Sequence, residues 1–487
     1  MTRTVAAVDL GATSGRVVLG AVDDGRLRLR HVARFPNQPV RLHEGHGAGL
    51  HWNITELHRC LTAGLAQALR DEDDVASIGI DSWAVDYALL RDGRMLGVPY
   101  HYRDERTAAG VEAVHGQVPP EELYARNGLQ HLPFNTVFQL AADRARGDLD
   151  VADRMLLVPD LIAYWLTGQQ VAEATNASTT GLLDARTRQW DTRLMHRLGH
   201  ARDLFAPVVA PGSTIGELLP RVAVELGAGP GLAVTAVGSH DTASAVVAVP
   251  ATDGESAFIS SGTWSLVGIE LDSPVLTAQS RAANFTNEGG VDGRVRYLKN
   301  VSGLWLLSES MRTWDGPGST DAQRTGDLAA LLAEAAAVTR PVPVFDATDD
   351  RFTAPGDMPA RITAWCEERG LEPPRTRAEV VRSILESLAA AYATTVEQAE
   401  ELSGRTIRTV HIVGGGSQNA LLCQLTADRT GRPVLAGPVE ATAVGNVLVQ
   451  ARAAGLVTGS LEALRSIVAA TFEPVRYQPR TVPAAAR

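Results

Sequence analysis

Cysteine is scarce. The 487 residues carry three, Cys60, Cys366 and Cys423, far apart and with no CxxC pair. That excludes a zinc ribbon and a disulfide framework and points to free thiols in a reducing compartment. Positive charge is not in excess: the formal net charge is −11. A nucleic-acid partner held by electrostatics is therefore not expected, although a local site for an anion is not forbidden. No uncharged apolar run reaches the roughly 18–20 residues of a membrane helix. Met1 leads into a strand without the basic and apolar segments of a signal peptide. A cytoplasmic protein with no nucleic-acid and no membrane partner is expected. Two nucleotide signatures are missing as well, GxxxxGK followed by Ser or Thr, and GxGxxG, which argues against a P-loop and against NAD.

What is present is ordinary for a soluble globular chain: 45% hydrophobic and 21% charged residues. The length predicts two or three domains at about 100–200 residues each. "AAVDLGATSGRVVLG" (Ala6–Gly20) reads as a β-hairpin whose turn is made of small and hydroxylated residues. "SAFISSGTWSLVGIEL" (Ser256–Leu271) has the same design and heads the second half. With no strict internal repeat, the pair still predicts a duplicated α/β architecture with two facing lobes.

The remaining elements follow from periodicity and punctuation. A strand is predicted at Arg26–Val32, a Gly/His-rich loop at His43–Gly49, and a helix after Asn53, capped by Asn53 with Glu56 reaching back. Val75–Asp81 reads as a strand ending on a carboxylate. Helices are predicted at Pro119–Asn127, Asn135–Arg146, Ala152–Leu166 and Arg375–Leu402, an exposed loop at Asp315–Asp327, and a frayed tail after Pro479.

Chemistry gathers at a few stretches. Asp9 stands where the first strand meets its turn, placed for a hydrated Mg²⁺, and the turn residues suit phosphate oxygens. An Asp bonding its own backbone is the competing reading. "SSGTWS" (Ser260–Ser265) is a second such turn, and "GGGSQN" (Gly414–Asn419) a glycine-rich entry to a helix, where a flat group or a phosphate can approach the backbone. "GSHDTAS" (Gly238–Ser244) sets Asp241 among small neighbours, as a base for a substrate hydroxyl or as a helix N-cap. "GIDSWAVDYALL" and "YHYRDERT" combine aromatic rings, carboxylates and Arg in a manner that suits a polyol.

The stretches "VDLGATSGRV", "GIDSWAVDYALL", "YRDERT", "GSHDTASAV", "SSGTWSL", "NEGG…RYLKNVSGLWLL" and "HIVGGGSQN…GPVEATAVGN" run from Val8 to Asn446. In this order they resemble the FGGY carbohydrate kinases, over nearly the whole chain. The resemblance implies the two-lobed sugar kinase/heat-shock-70/actin-like (ribonuclease H-like) α/β fold, with ATP in the interlobe cleft. It implies an N-terminal lobe at 1–245, a C-terminal lobe at 246–455 and a C-terminal segment at 456–487 that packs back on the N-terminal lobe. Asp241 would be the general base. Ala84, His240, Asp241 and Thr242 would line the sugar. Ala12, Thr13, Ser14, Gly15, Arg16, Thr263, Asn300, Ser308, Gly415 and Asn419 would meet ATP, and Mg²⁺ would lie near Asp9 and Asp241. The implied reaction is phosphorylation of L-rhamnulose at its 1-hydroxyl, by a monomer or weak homodimer. Another ketose, such as L-fuculose or a pentulose, is the alternative, and a non-catalytic nucleotide-dependent protein the alternative of another class. The chain departs from the family at Ala84, where Gly is usual, and at Ser308, where Gln is frequent.

Overall fold

The computed structural model describes residues 3–44, 47–315 and 321–480. The chain folds into two compact units. The first is Met1–Thr252 together with two returns of the chain, Glu270–Tyr297 and Glu440–Phe472. The second is Asp253–Ile269, Leu298–Val439 and Glu473–Arg487.

The first unit is built on a six-stranded sheet. Its order is Thr214–Glu217, Ala233–Thr235, Val75–Ser82, Thr4–Leu10, Ser14–Asp23, Arg26–Pro36. Thr4–Leu10 sits inside the sheet and is buried at every residue, which is why its sequence, TVAAVDL, is apolar almost throughout. It pairs antiparallel with Ser14–Asp23 and parallel with Val75–Ser82. Helix Ile54–Asp71 buries Ile54, Leu57, Leu61 and Leu65, as the helical spacing predicts. Its cap differs from expectation. Asn53 makes no side-chain cap bond, and the Glu56 carboxylate is taken by Arg59 at 2.6 and 2.8 Å instead of reaching back.

The second sheet has seven strands. Beyond a terminal Thr286–Gly289, its order is Val295–Ser302, Trp264–Leu271, Ser256–Ser261, Thr409–Val413, Val434–Ala436, Val475–Tyr477. The pairing from the hairpin outward is antiparallel, parallel, parallel, antiparallel. The first sheet follows the same sequence from its own hairpin. The duplication read from two hairpins therefore extends to the topology.

Two further expectations change. Ala152–Leu166 is not one helix: Arg154–Leu157 is a strand pairing with Tyr87–Arg91, and the helix is Val158–Thr167. Pro159 stands in its first turn, where proline starts helices. Of Asp315–Asp327, Asp315 closes one helix and residues from Asp321 open the next, Asp321–Ala337, because the Ala/Leu-rich run propagates the helix backward. Residues 316–320 lie outside the described residues, as do 481–487 of the predicted frayed tail and 45–46 of the predicted His43–Gly49 loop, whose other residues belong to the paired strands Pro39–Glu44 and Gly47–Trp52. All three cysteines are free, with Cys366 and Cys423 buried. Among the described residues, no helix is long and apolar enough to cross a membrane.

Candidate active site

In the first unit, the sheet register sets three charged side chains in a row. Asp9 is the direct partner of Arg16 on one side and of Asp81 on the other. Direct partners share a face of the sheet. Arg16 Nε lies 3.3 Å from Asp9 Oδ2, and the guanidinium also pairs with Glu440. Burial pushes the Asp9 carboxyl up to about 6, against the pull of Arg16 and with the repulsion of Asp241 and Glu440. Asp81 is wholly buried. Its Oδ2 accepts from Asn446 Nδ2 at 2.5 Å, and among the described residues its Oδ1 has no hydrogen-bond partner. Burial, and next Asp9, hold it well above the usual carboxylate range. Asn446 is fixed in turn by Gln450, whose Nε2 donates to Asn446 Oδ1 at 2.6 Å and to Ala6 O at 3.1 Å.

The turn between Asp9 and Arg16 is tied down at its edges. Gly11 N donates to Ser14 O at 3.0 Å, and Asn37 N to Thr13 O at 2.9 Å. Among the described residues the amides of Ala12 and Thr13 donate to nothing, which leaves two N–H groups for an anion. Gly15 is glycine for packing: a Cβ there would stand 2.2 Å from the Phe35 ring.

Asp241 opens the short helix Asp241–Val247, and the N-cap position belongs to His240. Its carboxylate is thus not spent on capping, which removes the competing reading. The segment just before it is clamped. Ser239 donates through N and Oγ to Glu173 Oε2 at 3.0 and 2.7 Å. His240 N donates to Thr175 Oγ1 at 3.3 Å, and Asn176 Nδ2 to Ser239 O at 3.4 Å. At the far end of the helix, Arg465 donates to Val246 O at 3.1 Å and pairs with Glu270, a cation at a helix C-terminus. Thr242 Oγ1 donates to Asp241 Oδ1 at 3.1 Å.

Ala84 lies in the turn after Val75–Ser82, half-buried, and its carbonyl accepts from Asp86 N at 2.9 Å. The next residue, Val85, is held at φ 66°, a left-handed conformation that costs a β-branched residue about 1–3 kcal/mol. Thr136 Oγ1 secures it by donating to Val85 O at 2.7 Å. Asp86 collects four donors: Trp52 Nε1 at 2.6 Å, Gln139 Nε2 at 2.8 Å, and Trp83 Nε1 and Tyr102 N at 3.1 Å. Of the stretches read from sequence as suiting a polyol, Trp83 and the Tyr102 backbone thus meet at Asp86, together with Trp52.

Burial nevertheless pushes the Asp86 carboxyl up to about 7 from 3.8. A folded value above the unfolded one means that folding takes up a proton in that interval. The group's contribution is whole below the unfolded value and is lost as pH rises through the folded one. Asp86→Asn removes the titration. The wild-type advantage in unfolding free energy over that variant is expected to shrink by about 2–3 kcal/mol between pH 5 and 8. Urea unfolding at the two pH values checks this, and an advantage that grows with pH contradicts it.

In the second unit, Thr263 sits in the turn of the Ser256–Leu271 hairpin, and Trp305 N donates to its carbonyl at 3.1 Å. Asn300 is on strand Val295–Ser302, and Ser308 is exposed on helix Trp305–Asp315. Gly415 is exposed in the turn after Thr409–Val413. Asn419 caps helix Ala420–Thr430, its Oδ1 accepting from Leu422 N at 3.0 Å.

Sequence models of the FGGY family of carbohydrate kinases match this chain at residues 4–248, for the N-terminal domain, and 257–454, for the C-terminal domain. The chain belongs to the FGGY family of carbohydrate kinases. It is an ATP-dependent sugar kinase, a phosphotransferase, and such kinases typically use a divalent metal. Among curated FGGY relatives, a rhamnulokinase of Bacteroides thetaiotaomicron is 42% identical over 98% of this chain and 96% of its own length. One of Pectobacterium carotovorum subsp. carotovorum is 43% identical over 98% and 93%. A solved gluconate kinase from Lactobacillus acidophilus superposes with a TM-score of 0.77 over 99% of this chain and 94% of its own, at 16% identity. The fold is thus the mixed α/β, two-domain fold of the FGGY kinases, of the actin-like ATPase type, as expected.

Several residues that touch these positions were not singled out from the sequence: Glu173 at Ser239, Glu288 and Arg296 at His240, Glu440 at Arg16 and Asn446 at Asp81. Glu173 opens "EATN", whose Thr and Asn are the residue types that bond locally to a carboxylate, and that was the available signal.

Proposed function

We infer that this kinase transfers the γ-phosphoryl group of Mg-ATP to the 1-hydroxyl of L-rhamnulose, giving L-rhamnulose 1-phosphate and ADP in the breakdown of L-rhamnose. The observation that carries the substrate is the 42–43% identity to curated rhamnulokinases over 98% of the chain. Asp241 carries the chemistry. Held on a helix fixed at both ends, with a side chain 30% exposed, it takes the proton from the sugar hydroxyl as the oxygen attacks phosphorus and the bond to ADP breaks. Ala84, His240 and Thr242 line the sugar in this reading. Ala12–Arg16 receive the ATP phosphates, and Thr263, Asn300, Ser308, Gly415 and Asn419 serve the nucleotide.

The residues fit a magnesium ion. Asp9 Oδ2 and Asp81 Oδ1 are buried carboxylate oxygens without a hydrogen-bond donor among the described residues, a donor type that suits a hard cation. Asp9, with Asp241, would hold it, and bound Mg²⁺ supplies neutralisation of phosphate charge. Arg16 Nε, 3.3 Å from Asp9 Oδ2, steadies that carboxylate, and the free amides of the turn orient the phosphates. The free thiols and the use of ATP support a cytoplasmic enzyme in this reading.

The test is ADP release with Mg-ATP across L-rhamnulose, L-fuculose, D-xylulose, L-ribulose and glycerol. The expected result is a kcat/KM for L-rhamnulose at least about tenfold above the others, or about 1.4 kcal/mol of transition-state preference. A different preferred ketose moves the substrate and points to the Ala84 methyl group.

A further inference from the structure

The two hairpin turns are pinned alike, but in the first unit a side chain does part of the pinning. In the second unit the turn is Gly262 and Thr263, between strands Ser256–Ser261 and Trp264–Leu271. Leu304 N donates to Gly262 O at 3.0 Å, and Trp305 N to Thr263 O at 3.1 Å. Both donors are backbone amides just after strand Val295–Ser302, which flanks that hairpin. In the first unit the turn is residues 11–13, and strand Arg26–Pro36 flanks the hairpin. The residue just after that strand is Asn37. Its N donates to Thr13 O at 2.9 Å, and its side-chain Nδ2 donates to Gly11 O, also at 2.9 Å. One residue thus grips the first and last carbonyls of its turn, as two backbone amides do in the second unit.

The consequence is geometric. A trans peptide is planar, so its C=O and N–H point opposite ways, and the Gly11–Ala12 bond is trans. The Gly11 carbonyl and the Ala12 N–H belong to that one peptide. Drawing Gly11 O toward Asn37 turns the Ala12 N–H away from it, and among the described residues that N–H donates to nothing. The matching peptide of the second unit joins Gly262 to Thr263: Leu304 holds its carbonyl, and Thr263 carries its N–H. Asn37 is buried, and among the described residues the bond to Gly11 is the only one its side chain makes. Glycine leaves a turn many conformations, so a fixed carbonyl gives the free amide its direction.

We propose that Asn37 is a positioning residue for ATP: its side-chain amide holds the Gly11 carbonyl, so that the Ala12 N–H is aimed at a phosphate oxygen before the nucleotide arrives. The proposal rests on the reading that this turn receives the ATP phosphates.

Asn37→Ala removes the bond to Gly11 O and keeps the backbone bond to Thr13 O. KM for ATP is expected to rise about tenfold, because the amide must then be ordered at binding. KM for the ketose, and the competitive inhibition constant of adenosine, which has no phosphate, are expected to stay within about twofold of wild type, and kcat within about threefold. An unchanged KM for ATP, or one that moves together with the adenosine constant, overturns the proposal. If Asn37→Ala does not fold, Asn37→Leu decides, since it keeps the shape of the side chain without its donor and adds no charge; the same split is expected. Failure of both variants to fold makes Asn37 a residue for stability and equally overturns the proposal. The reading beneath it is tested in ¹⁵N-threonine-labelled enzyme, where the Thr13 amide is assigned by the signal lost in Thr13→Ser. That signal is expected to shift with ADP and not with adenosine. No shift with ADP removes the phosphate reading of the turn and the proposal with it, whereas a shift beside a normal KM for ATP in the Asn37 variants removes only the proposal.

Discussion

Asp241→Asn lowers kcat by about 10²–10⁴ while ATP binds nearly as well as in the wild type. The substitution is isosteric, and an amide oxygen still accepts the Thr242 Oγ1 bond that Oδ1 accepts at 3.1 Å. The clamp on Ser239 from Glu173 is untouched. What disappears is the capacity to take a proton, so the loss appears in kcat and not in nucleotide affinity. Steady-state turnover with L-rhamnulose, beside a titration with a fluorescent ATP analogue, separates the two. Turnover within about threefold of wild type would take Asp241 out of the mechanism, because general-base catalysis is worth far more than that.

Gly445→Ala is the second change with a large expected effect, and it acts at a distance from the chemistry. Gly445 lies on helix Ala441–Ala453, against the helix that begins at Asp241. A Cβ at 445 would stand 1.8 Å from Ser244 O and 2.6 Å from its carbonyl carbon. Backbone cannot swing aside as a flexible side chain can, so the helices must separate. Overpacking of this kind costs about 3 kcal/mol, or, for a chain of 487 residues, a thermal midpoint lower by about 3–5 °C. Ser244 is three residues from Asp241, so the base moves with the helix, and kcat falls by about 10² where an ångström of misplacement matters. Differential scanning calorimetry and turnover check both parts. An unchanged midpoint would show that the contact yields freely.

The fold was legible wherever the signal was local. Two hairpins with small, hydroxylated turns announced the duplication, and helix Ile54–Asp71 announced itself by Leu57, Leu61 and Leu65 on one face. The strand at Arg154–Leu157 was not legible, because its four residues run straight into an apolar helix and periodicity cannot divide them. The site divides in the same way. Asp9 and Arg16 face each other across one hairpin. Ser239 and Glu173 are 66 residues apart, His240 and Arg296 56, and Asp81 and Asn446 365. Those partners are chosen by sheet topology and helix packing, which no short pattern encodes.

The central claim, transfer of a phosphoryl group to the C1 hydroxyl of L-rhamnulose, is tested most directly by ³¹P NMR of the enzyme with Mg-ATP and that sugar. The account predicts one new phosphomonoester signal, coupled to the two C1 protons and growing in step with ADP. Growth of ADP with inorganic phosphate alone, or a phosphomonoester on another carbon, would contradict it.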